Sequence, residues 1–306
     1  MKVAVRSLER SRSPANTLRL FLTAIRPREW VKNTFLFAPL FFAQKVLQPE
    51  AVLISTLAFT IFCLTAGGVY LINDICDREE DKRHPLKNAR PIASGALPVT
   101  LAATAAIFLI ASSIVGALAL SPSFAVITAG YVILNISYSN WLKHVVIVDV
   151  FSIAFGFVLR VAAGAVVIDV TMSHWLLICT MLLALFLGLS KRRHELVSLA
   201  SDDRRRVLAE YNPLFLDMMI GIVTSATVVS YALYTVSPET VQRLHTDWLL
   251  FTLPFVLYGI FRYLYLVYHK NYGGDPSHAL VSDGHLLVNI LLWILACAVI
   301  IYSANL

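Results

Sequence analysis

Long apolar runs are the feature of this sequence that most limits what it can fold into. Eight stretches of about twenty residues carry almost no charge, and they cover residues 51–72, 99–120, 123–141, 145–167, 173–190, 214–237, 247–269 and 285–303. An α-helix of about twenty apolar residues crosses the hydrocarbon core of a bilayer. Hydrophobic residues make up 58% of the chain and charged residues 14%, whereas soluble domains have about 45–50% and about 25%. The sequence therefore excludes an ordinary soluble domain and predicts a polytopic membrane protein.

A weaker run over residues 31–47 decides the number of spans. It contains Pro39, Gln44 and Lys45, so the alternative to a ninth crossing is a re-entrant or interfacial segment. Loops rich in Lys and Arg stay on the cytoplasmic side of a membrane. With nine spans, every basic loop residue falls on one side except Lys45 and Arg243. We therefore predict an all-α integral membrane protein, with nine transmembrane helices around a cytoplasm-facing cavity and a cytoplasmic N-terminus.

The N-terminal segment, residues 1–30, is basic and does not resemble a cleaved signal peptide. Its apolar stretch Leu18–Ile25 is short, is interrupted by Arg19 and ends at Arg26 rather than at small residues. We predict a short amphipathic helix on the cytoplasmic membrane surface, followed by one transmembrane domain over residues 31–306. The net charge of +6 then follows from basic cytoplasmic loops and does not indicate nucleic-acid binding.

An acidic motif follows the first of the eight clear runs. Asn73, Asp74, Asp77 and Asp81 have the spacing N-D-x-x-D-x-x-x-D, which places three carboxylates on one helix face. Such carboxylates repel each other unless a cation lies between them, and Mg²⁺ binds carboxylate oxygen while it bridges to phosphate. The alternative is a solvated helix end, although the helix dipole disfavours carboxylates at a C-terminus. We predict that these four residues bind Mg²⁺ and that Asp74 and Asp77 are catalytic.

Basic residues accompany the acidic motif and open the second long polar stretch, residues 191–213. Lys87 and Arg90 follow the motif, and carboxylates, Mg²⁺ and cations together make a diphosphate site. The second stretch begins with Lys191 and Arg192, for which a cationic phosphate clamp is the functional interpretation. The alternative is an anchor that follows the positive-inside rule. We predict a catalytic role for Lys191 and phosphate binding by Lys87, Arg90 and Arg192.

Charged and polar residues within the spans, or at their ends, are further candidates for binding phosphate or substrate. Arg160 lies inside the fifth span, where a buried Arg is costly and usually functional or paired. Its alternative is an ion pair with Asp149 or another helix, although about three helical turns separate these two residues. Arg262 is a weaker candidate of the same kind. The remaining candidates are Lys32, Asn33, Tyr138 and Asp275, and the alternatives for Lys32 and Tyr138 are interface anchors.

These stretches resemble a known family. The acidic motif at the end of the second span is similar to that of the UbiA superfamily of intramembrane prenyltransferases. NDICDREEDKRHPLKNARPIASG (73–95) resembles the superfamily's decaprenyl-phosphate phosphoribosyltransferase branch. The same branch is matched by RPREWVKN (26–33), YSNWLKHVVIVDVFSIAFGFVLRVAAGA (138–165), LSKRRHEL (189–196), FRYLYL (261–266) and GGDPSHALVSDGHLL (273–287). The resemblance covers most of the chain and implies a UbiA-like fold.

The resemblance implies Mg²⁺-dependent transfer of 5-phosphoribose from phosphoribosyl pyrophosphate to a polyprenyl phosphate of the decaprenyl type. It also implies a place in a bacterial plasma (inner) membrane and a role in supplying lipid-linked sugars. Aromatic prenyltransferases of this superfamily carry a second D-x-x-x-D motif, but here Asp202 and Asp203 are adjacent and neither has an Asp four residues later. This departure favours the phosphoribosyl donor.

Two other functions stay open at this point. One is prenyl transfer from a prenyl diphosphate to an aromatic acceptor, and the other is transport without catalysis. The prenyl chain length and the oligomeric state, including a homo-oligomer, also stay open.

Overall fold

The computed structural model of the chain describes residues 14–303 except 86, 199–207, 209, 271–278 and 280–281. This described part contains helices and no strand. In chain order the α-helices are α1 (Pro14–Ala24), α2 (Ala38–Phe42), α3 (Pro49–Cys76), α4 (Arg78–Arg83), α5 (Val99–Leu120), α6 (Pro122–Asn140), α7 (Val148–Val167), α8 (His174–Ser198), α9 (Pro213–Val236), α10 (Pro238–Leu244), α11 (Leu253–His269) and α12 (Gly284–Ser303). Helices of 3₁₀ type cover Pro27–Phe37, Leu142–His144 and Trp248–Thr252.

Seven segments of the described chain are long and apolar enough to cross a membrane. They are α3, α5, α7, α8 as far as Val197, α9, Trp248–His269 and α12. The prediction of an all-α integral membrane protein is confirmed by these helices. The predicted count of nine also includes α6, a helix of 19 residues, and residues 31–47, and that count stays a prediction.

The predicted first span does not form one continuous α-helix. Residues 31–42 belong to the 3₁₀ helix Pro27–Phe37 and to the five-residue helix α2, and residues 43–47 lie in a turn segment outside both. A 3₁₀ helix rises about 2.0 Å per residue, compared with about 1.5 Å in an α-helix. The 3₁₀ segment therefore extends further along the bundle than an α-helix with the same number of residues. Arg26 pairs with Asp74 at one end of the bundle, and Lys45 Nζ donates to the Ile168 carbonyl, 2.9 Å away, at the other end.

Helix α7 lies at the centre of the bundle and allows this segment to pack closely. In α7, 67% of the residues in the stretch that could cross a membrane are buried inside the protein, compared with 17% in α12. A Cβ atom at Gly164 would lie 1.9 Å from the Leu36 carbonyl oxygen, so only a glycine permits this backbone contact. The central position of α7 brings its two charged residues, Asp149 and Arg160, into the protein interior.

The two ends of the bundle differ in polarity. Ion pairs between separate elements gather at one end: Asp77 with Lys143, Asp149 with Arg192, and Asp217 with Arg193. This end, here called the polar end, contains the last turns of α3, α6, α8 and α11 and the first turns of α7, α9 and α12. At the opposite end Tyr302 Oη donates to the Phe41 carbonyl over 3.3 Å. The polar end is where the residues predicted to bind phosphate and metal accumulate.

Helix α1 lies in the segment for which the sequence predicts an amphipathic helix. Its Phe21 packs with the buried Ala24 and Ile25 into an apolar cluster formed with α3 and α5, while Leu18 and Leu22 are 59% and 46% exposed. The exposed leucines are four residues apart and therefore share a helix face. Contact of this face with a membrane surface, and the domain boundary at residue 30, stay predictions.

Candidate active site at the polar end

The acidic motif does not lie on one unbroken helix. Helix α3 ends at Cys76, and Asp77, with φ −86° and ψ 1°, separates it from α4. Helical hydrogen bonding continues across the break, since the Asp81 amide donates to the Asp77 carbonyl over 2.8 Å. The predicted row of three carboxylates is consequently divided: Asp74 and Asp81 share one cationic partner, and Asp77 has a different one.

Asp74 and Asp81 are buried behind two arginines. Their exposed fractions are 1% and 3%. Arg90 Nη1 donates to Asp81 Oδ2 over 2.6 Å and to Asp74 Oδ1 over 3.2 Å, and Arg26 also donates to Asp74 Oδ1. The side chains of Arg26 and Arg90 are 25% and 26% exposed, so the guanidinium groups form the accessible edge of the cluster.

Asp77 is held from the other side, by α3 itself and by the 3₁₀ helix Leu142–His144 that follows α6. Lys143 donates to its Oδ1, and Asn73 Nδ2 donates to its Oδ2 over 3.1 Å. The side-chain Oδ1 of Asn73 accepts a hydrogen bond from Ser139 Oγ over 3.0 Å. Both ends of the Asn73 amide are therefore engaged, and this arrangement orients Asp77 toward Lys143.

The donor set of the motif fits a hard divalent cation, but its carboxylates are paired with basic side chains. Three carboxylates within two helical turns offer the oxygen ligands that Mg²⁺ prefers. Within the described ranges, no three His, Cys, Asp or Glu side chains already converge on one metal position. Metal binding at Asp74, Asp77 and Asp81 therefore requires the carboxylates to exchange their contacts with Arg26, Arg90 and Lys143.

Arg192 lies in a second, sealed ionic network. It is 1% exposed, and it donates to Asp149 Oδ2 over 2.6 Å, to Glu195 Oε2 over 2.6 Å and to Tyr138 Oη over 3.1 Å. Tyr211 Oη donates to Asp149 Oδ1 over 3.0 Å and accepts from the Ile147 amide. Burial raises the pKa of Tyr211 to about 12, so its hydroxyl remains a donor near neutral pH. Direct phosphate binding by Arg192, as the sequence predicts, would require these bonds to break.

The last turn of α6 connects the two ionic clusters. Tyr138 and Ser139 are adjacent, and they contact Arg192 and Asn73 respectively. The structure thus brings the predicted residues of the acidic motif and of the 191–196 stretch to the two sides of one helix end. This proximity is a tertiary feature, since 54 and 66 residues separate the contacting pairs along the chain.

Arg160 and Asn33 form a third polar group deeper in the bundle. Arg160 Nε donates to Asn33 Oδ1 over 2.8 Å, Nη1 to the Gly156 carbonyl over 2.8 Å, and Nη2 to Tyr131 Oη over 2.8 Å. Asn33 Nδ2 completes the group with a bond to Cys63 Sγ at 3.3 Å. Arg160 is 5% exposed and has no carboxylate partner among the described residues. The ion pair with Asp149, considered from the sequence, is not formed.

The other predicted site residues are placed less centrally. Lys32 pairs with Glu29 on the same 3₁₀ helix. Lys87 is half-buried in the turn that leads to Arg90, and Lys191 is half-buried on α8 next to Arg192. Asp275 lies outside the described residues, as do Asp202 and Asp203.

Arg262 does not face the middle of the bundle. Its Nε and Nη2 donate to the two oxygens of Asp283 over 3.0 and 2.7 Å, and Asp283 Oδ1 accepts from the Leu286 amide over 2.8 Å. Asp283 therefore caps α12. The hydrogen bond from Arg262 lowers the pKa of Asp283 below its ordinary value.

Sequence reasoning missed several residues that complete the site. Arg26 and Lys143 supply two of the three cations on the acidic motif, and Ser139 orients Asn73. Arg26 precedes Pro27 and has a left-handed backbone, with φ 51°, which is uncommon outside glycine. Both cations lie within stretches that resemble the family, RPREWVKN and YSNWLK, and this was the only available signal for them.

The sequences of known proteins indicate the same family as the motifs do. The model of the UbiA prenyltransferase family matches residues 33–282. A decaprenyl-phosphate phosphoribosyltransferase of Mycolicibacterium smegmatis is 31% identical over 302 residues, which cover 94% of each chain. An enzyme of the same name from Corynebacterium glutamicum is 32% identical over 98% of this chain and 92% of its own.

Solved structures agree on the fold. A UbiA homolog from Archaeoglobus fulgidus bound to GPP and Mg²⁺ has a TM-score of 0.68 at 16% identity, over 92% of this chain and 99% of that one. The same homolog bound to DMAPP and Mg²⁺ has a TM-score of 0.67 at 17% identity, over 91% and 98%. At this identity the likeness supports the fold alone.

Proposed function

The chain belongs to the UbiA prenyltransferase family, and we propose that it transfers 5-phosphoribose from phosphoribosyl pyrophosphate to a polyprenyl phosphate, releasing diphosphate. The observation that carries the proposal is the acidic motif with three basic side chains paired to it at the polar end. Relatives named decaprenyl-phosphate phosphoribosyltransferase, similar over nearly the whole chain, support the choice of donor and acceptor.

Binding of phosphoribosyl pyrophosphate would require the carboxylates of the acidic motif to exchange their basic side-chain partners for Mg²⁺. Asp74, Asp77 and Asp81 would hold Mg²⁺, and the cations that they release, Arg26 and Arg90 on one side and Lys143 on the other, would turn to the phosphates. Positively charged groups near a diphosphate bind it strongly in a partly dry site. Magnesium, when bound, neutralises the negative charge that develops on the departing diphosphate.

The reaction itself needs little from the protein besides position and charge. The bond between ribose C1 and the diphosphate oxygen breaks, and its electron pair leaves with the diphosphate. A phosphate oxygen of the lipid forms the new bond to C1. Because that phosphate is already anionic at pH 7, no general base is required, and catalysis rests on positioning and electrostatic stabilisation.

The location of the protein follows from the same proposal. We infer that it is integral to a bacterial inner membrane, with the N-terminus and the polar end in the cytoplasm. The one-sided distribution of Lys and Arg supports this orientation. Residues 1–30 would lie on the cytoplasmic surface as a segment separate from the transmembrane domain.

The proposal is tested with the purified full chain in detergent, Mg²⁺ and phosphoribosyl pyrophosphate labelled in the ribose. We expect label in the organic phase only when polyprenyl phosphate is added, and loss of transfer with a chelator. A parallel reaction contains labelled prenyl diphosphate and an aromatic acid. Prenylation of the acid without phosphoribosyl transfer would overturn the proposal in favour of an aromatic prenyltransferase, and no chemistry with either donor would favour a transporter.

A further inference from the structure

A groove of about 470 Å³ lies between α9 and α11, outside the acidic motif and the Arg192 network. It begins at the polar end, where Asp217 faces Tyr268 and His269, and it continues past Gly221 to Thr224 and Ser225. The residues from α9 recur every three or four positions and thus share one face. Asp217 and Thr224 are seven residues apart, or about 10 Å along the helix axis.

Acidic and basic side chains lie together at the polar end of the groove. Asp217 Oδ1 accepts hydrogen bonds from Arg193 Nε over 2.7 Å and from Tyr268 Oη over 2.6 Å. Its Oδ2 accepts none from the described residues, and the carboxylate is 33% exposed. His269 and Lys270 are exposed at the end of α11. A ligand that fits has an amine for the free carboxylate oxygen and a phosphate for the Lys270 ammonium and the His269 ring N–H.

In the inner part of the groove, one threonine differs in its hydrogen bonding from the neighbouring Ser and Thr residues of α9. Ser225 and Thr227 donate to the carbonyl four residues earlier, over 3.0 and 2.7 Å, which is how helical Ser and Thr in apolar surroundings are usually satisfied. Thr224 is one of the residues that line the groove, and its Oγ1 is buried and has no hydrogen-bond partner in the described part of the chain. An unpaired buried hydroxyl is unfavourable, so this position suits a ligand with an acceptor oxygen below its headgroup.

We propose that this groove binds a glycerophospholipid with a primary-amine headgroup, such as phosphatidylethanolamine. The ammonium group donates to Asp217 Oδ2, and the phosphate lies near His269 and Lys270. Rotation of the Thr224 side chain into the groove lets an ester carbonyl accept from its Oγ1. The acyl chains follow the apolar walls into the bilayer. A polyprenyl phosphate has neither the amine nor the ester carbonyl, so this site is distinct in chemistry from one for the proposed acceptor.

The first test compares lipids on the unmodified protein. Delipidated full chain in detergent is mixed with phosphatidylethanolamine, phosphatidylcholine or phosphatidylglycerol with identical acyl chains, and the bound lipid is counted by native mass spectrometry. We expect phosphatidylethanolamine to bind about tenfold more tightly than phosphatidylcholine, corresponding to about 1.4 kcal/mol, because methylation removes every N–H donor. Equal binding of these two lipids, or tighter binding of phosphatidylglycerol, would overturn the proposal.

Variants then locate the binding site. A Cβ atom at Gly221 meets nothing within 4 Å, so a side chain can start there without strain, and Gly221→Leu should fill the groove and displace the lipid. The matched control is Gly130→Leu on α6, where a Cβ atom also meets nothing within 4 Å, and it should bind lipid like the unmodified chain. Asp217→Asn should lose the preference for ethanolamine over choline. Unchanged binding in Gly221→Leu, or a dimer of the unmodified chain that dissociates in this variant, would assign the groove to something other than lipid.

Discussion

The two ionic clusters at the polar end contain similar side chains but differ in access. On the acidic motif, Arg26 and Arg90 are about one quarter exposed and cover buried carboxylates. In the second cluster, Arg192 and Asp149 are 1% and 0% exposed and are fully bonded to each other and to their neighbours. Cations at an accessible edge can exchange a carboxylate for a phosphate, whereas a sealed ion pair would leave a buried charge behind. The first cluster is therefore suited to binding, and the second to holding α6, α7 and α8 in place.

The largest expected effect comes from breaking the sealed cluster. Arg192→Met leaves Asp149 buried without its ion partner, and removal of one partner of a buried pair costs about 3–5 kcal/mol. We expect a strong fall in the temperature of unfolding in detergent, while the remaining folded protein keeps its KM for phosphoribosyl pyrophosphate. The control is Arg83→Met, at an exposed position on α4, which should change stability by less than about 0.5 kcal/mol. Normal stability with a raised KM would show instead that Arg192 contacts the donor.

The second prediction concerns the accessible cluster. Asp74→Asn keeps the side-chain shape but removes the charge that would hold a metal, so we expect kcat to fall by about 10²–10³-fold with little change in unfolding temperature. Transfer rates measured across a Mg²⁺ titration check this result. Glu79→Gln is the matched control, because Glu79 is an exposed acidic residue of the same stretch that pairs only with Lys82 among the described residues. A variant at Asp74 that retains full activity would refute the metal assignment.

A smaller effect is expected at the deeper polar group. Asn33→Ala removes the acceptor of Arg160 Nε, and a buried donor left unpaired costs about 1–3 kcal/mol. Thermal unfolding should reveal this loss, and Asn140→Ala, at an exposed helix end, provides the comparison. If Asn33→Ala lowered only the rate of transfer and left stability unchanged, Asn33 would belong to the binding site rather than to the support of Arg160.

The smallest effect is the pH dependence of the half-buried pair of Arg262 and Asp283 at the start of α12. The hydrogen bond from Arg262 lowers the pKa of Asp283, so the pair stabilises the folded state above the ordinary pKa of an aspartate. This contribution is lost as the pH falls through the lowered value. We expect Asp283→Asn to reduce the unfolding temperature slightly at pH 7 and to reduce its pH dependence below about pH 4. An unchanged pH profile would show that the pair has no measurable role.

Several features of the site followed from sequence because they depend on neighbouring residues. The spacing of Asp74, Asp77 and Asp81 was sufficient to predict a cluster at the end of a long apolar helix. The sequence did not predict which basic residues from distant segments pair with these carboxylates. Lys143 reaches Asp77 across 66 residues and Arg26 reaches Asp74 across 48 residues, and no local pattern predicts such distances.

The sequence alone determined the class of the protein, the position of its main spans and the end at which charge accumulates. The physical reason is that membrane insertion depends on runs of apolar residues and on the basic residues that flank them. Only the tertiary structure decided which cation pairs with which carboxylate, that Arg192 is sealed while Arg90 is accessible, and that the segment before α3 is partly a 3₁₀ helix. Those outcomes depend on helix ends that meet in space, and on a close approach between Gly164 and Leu36 that the order of residues does not reveal.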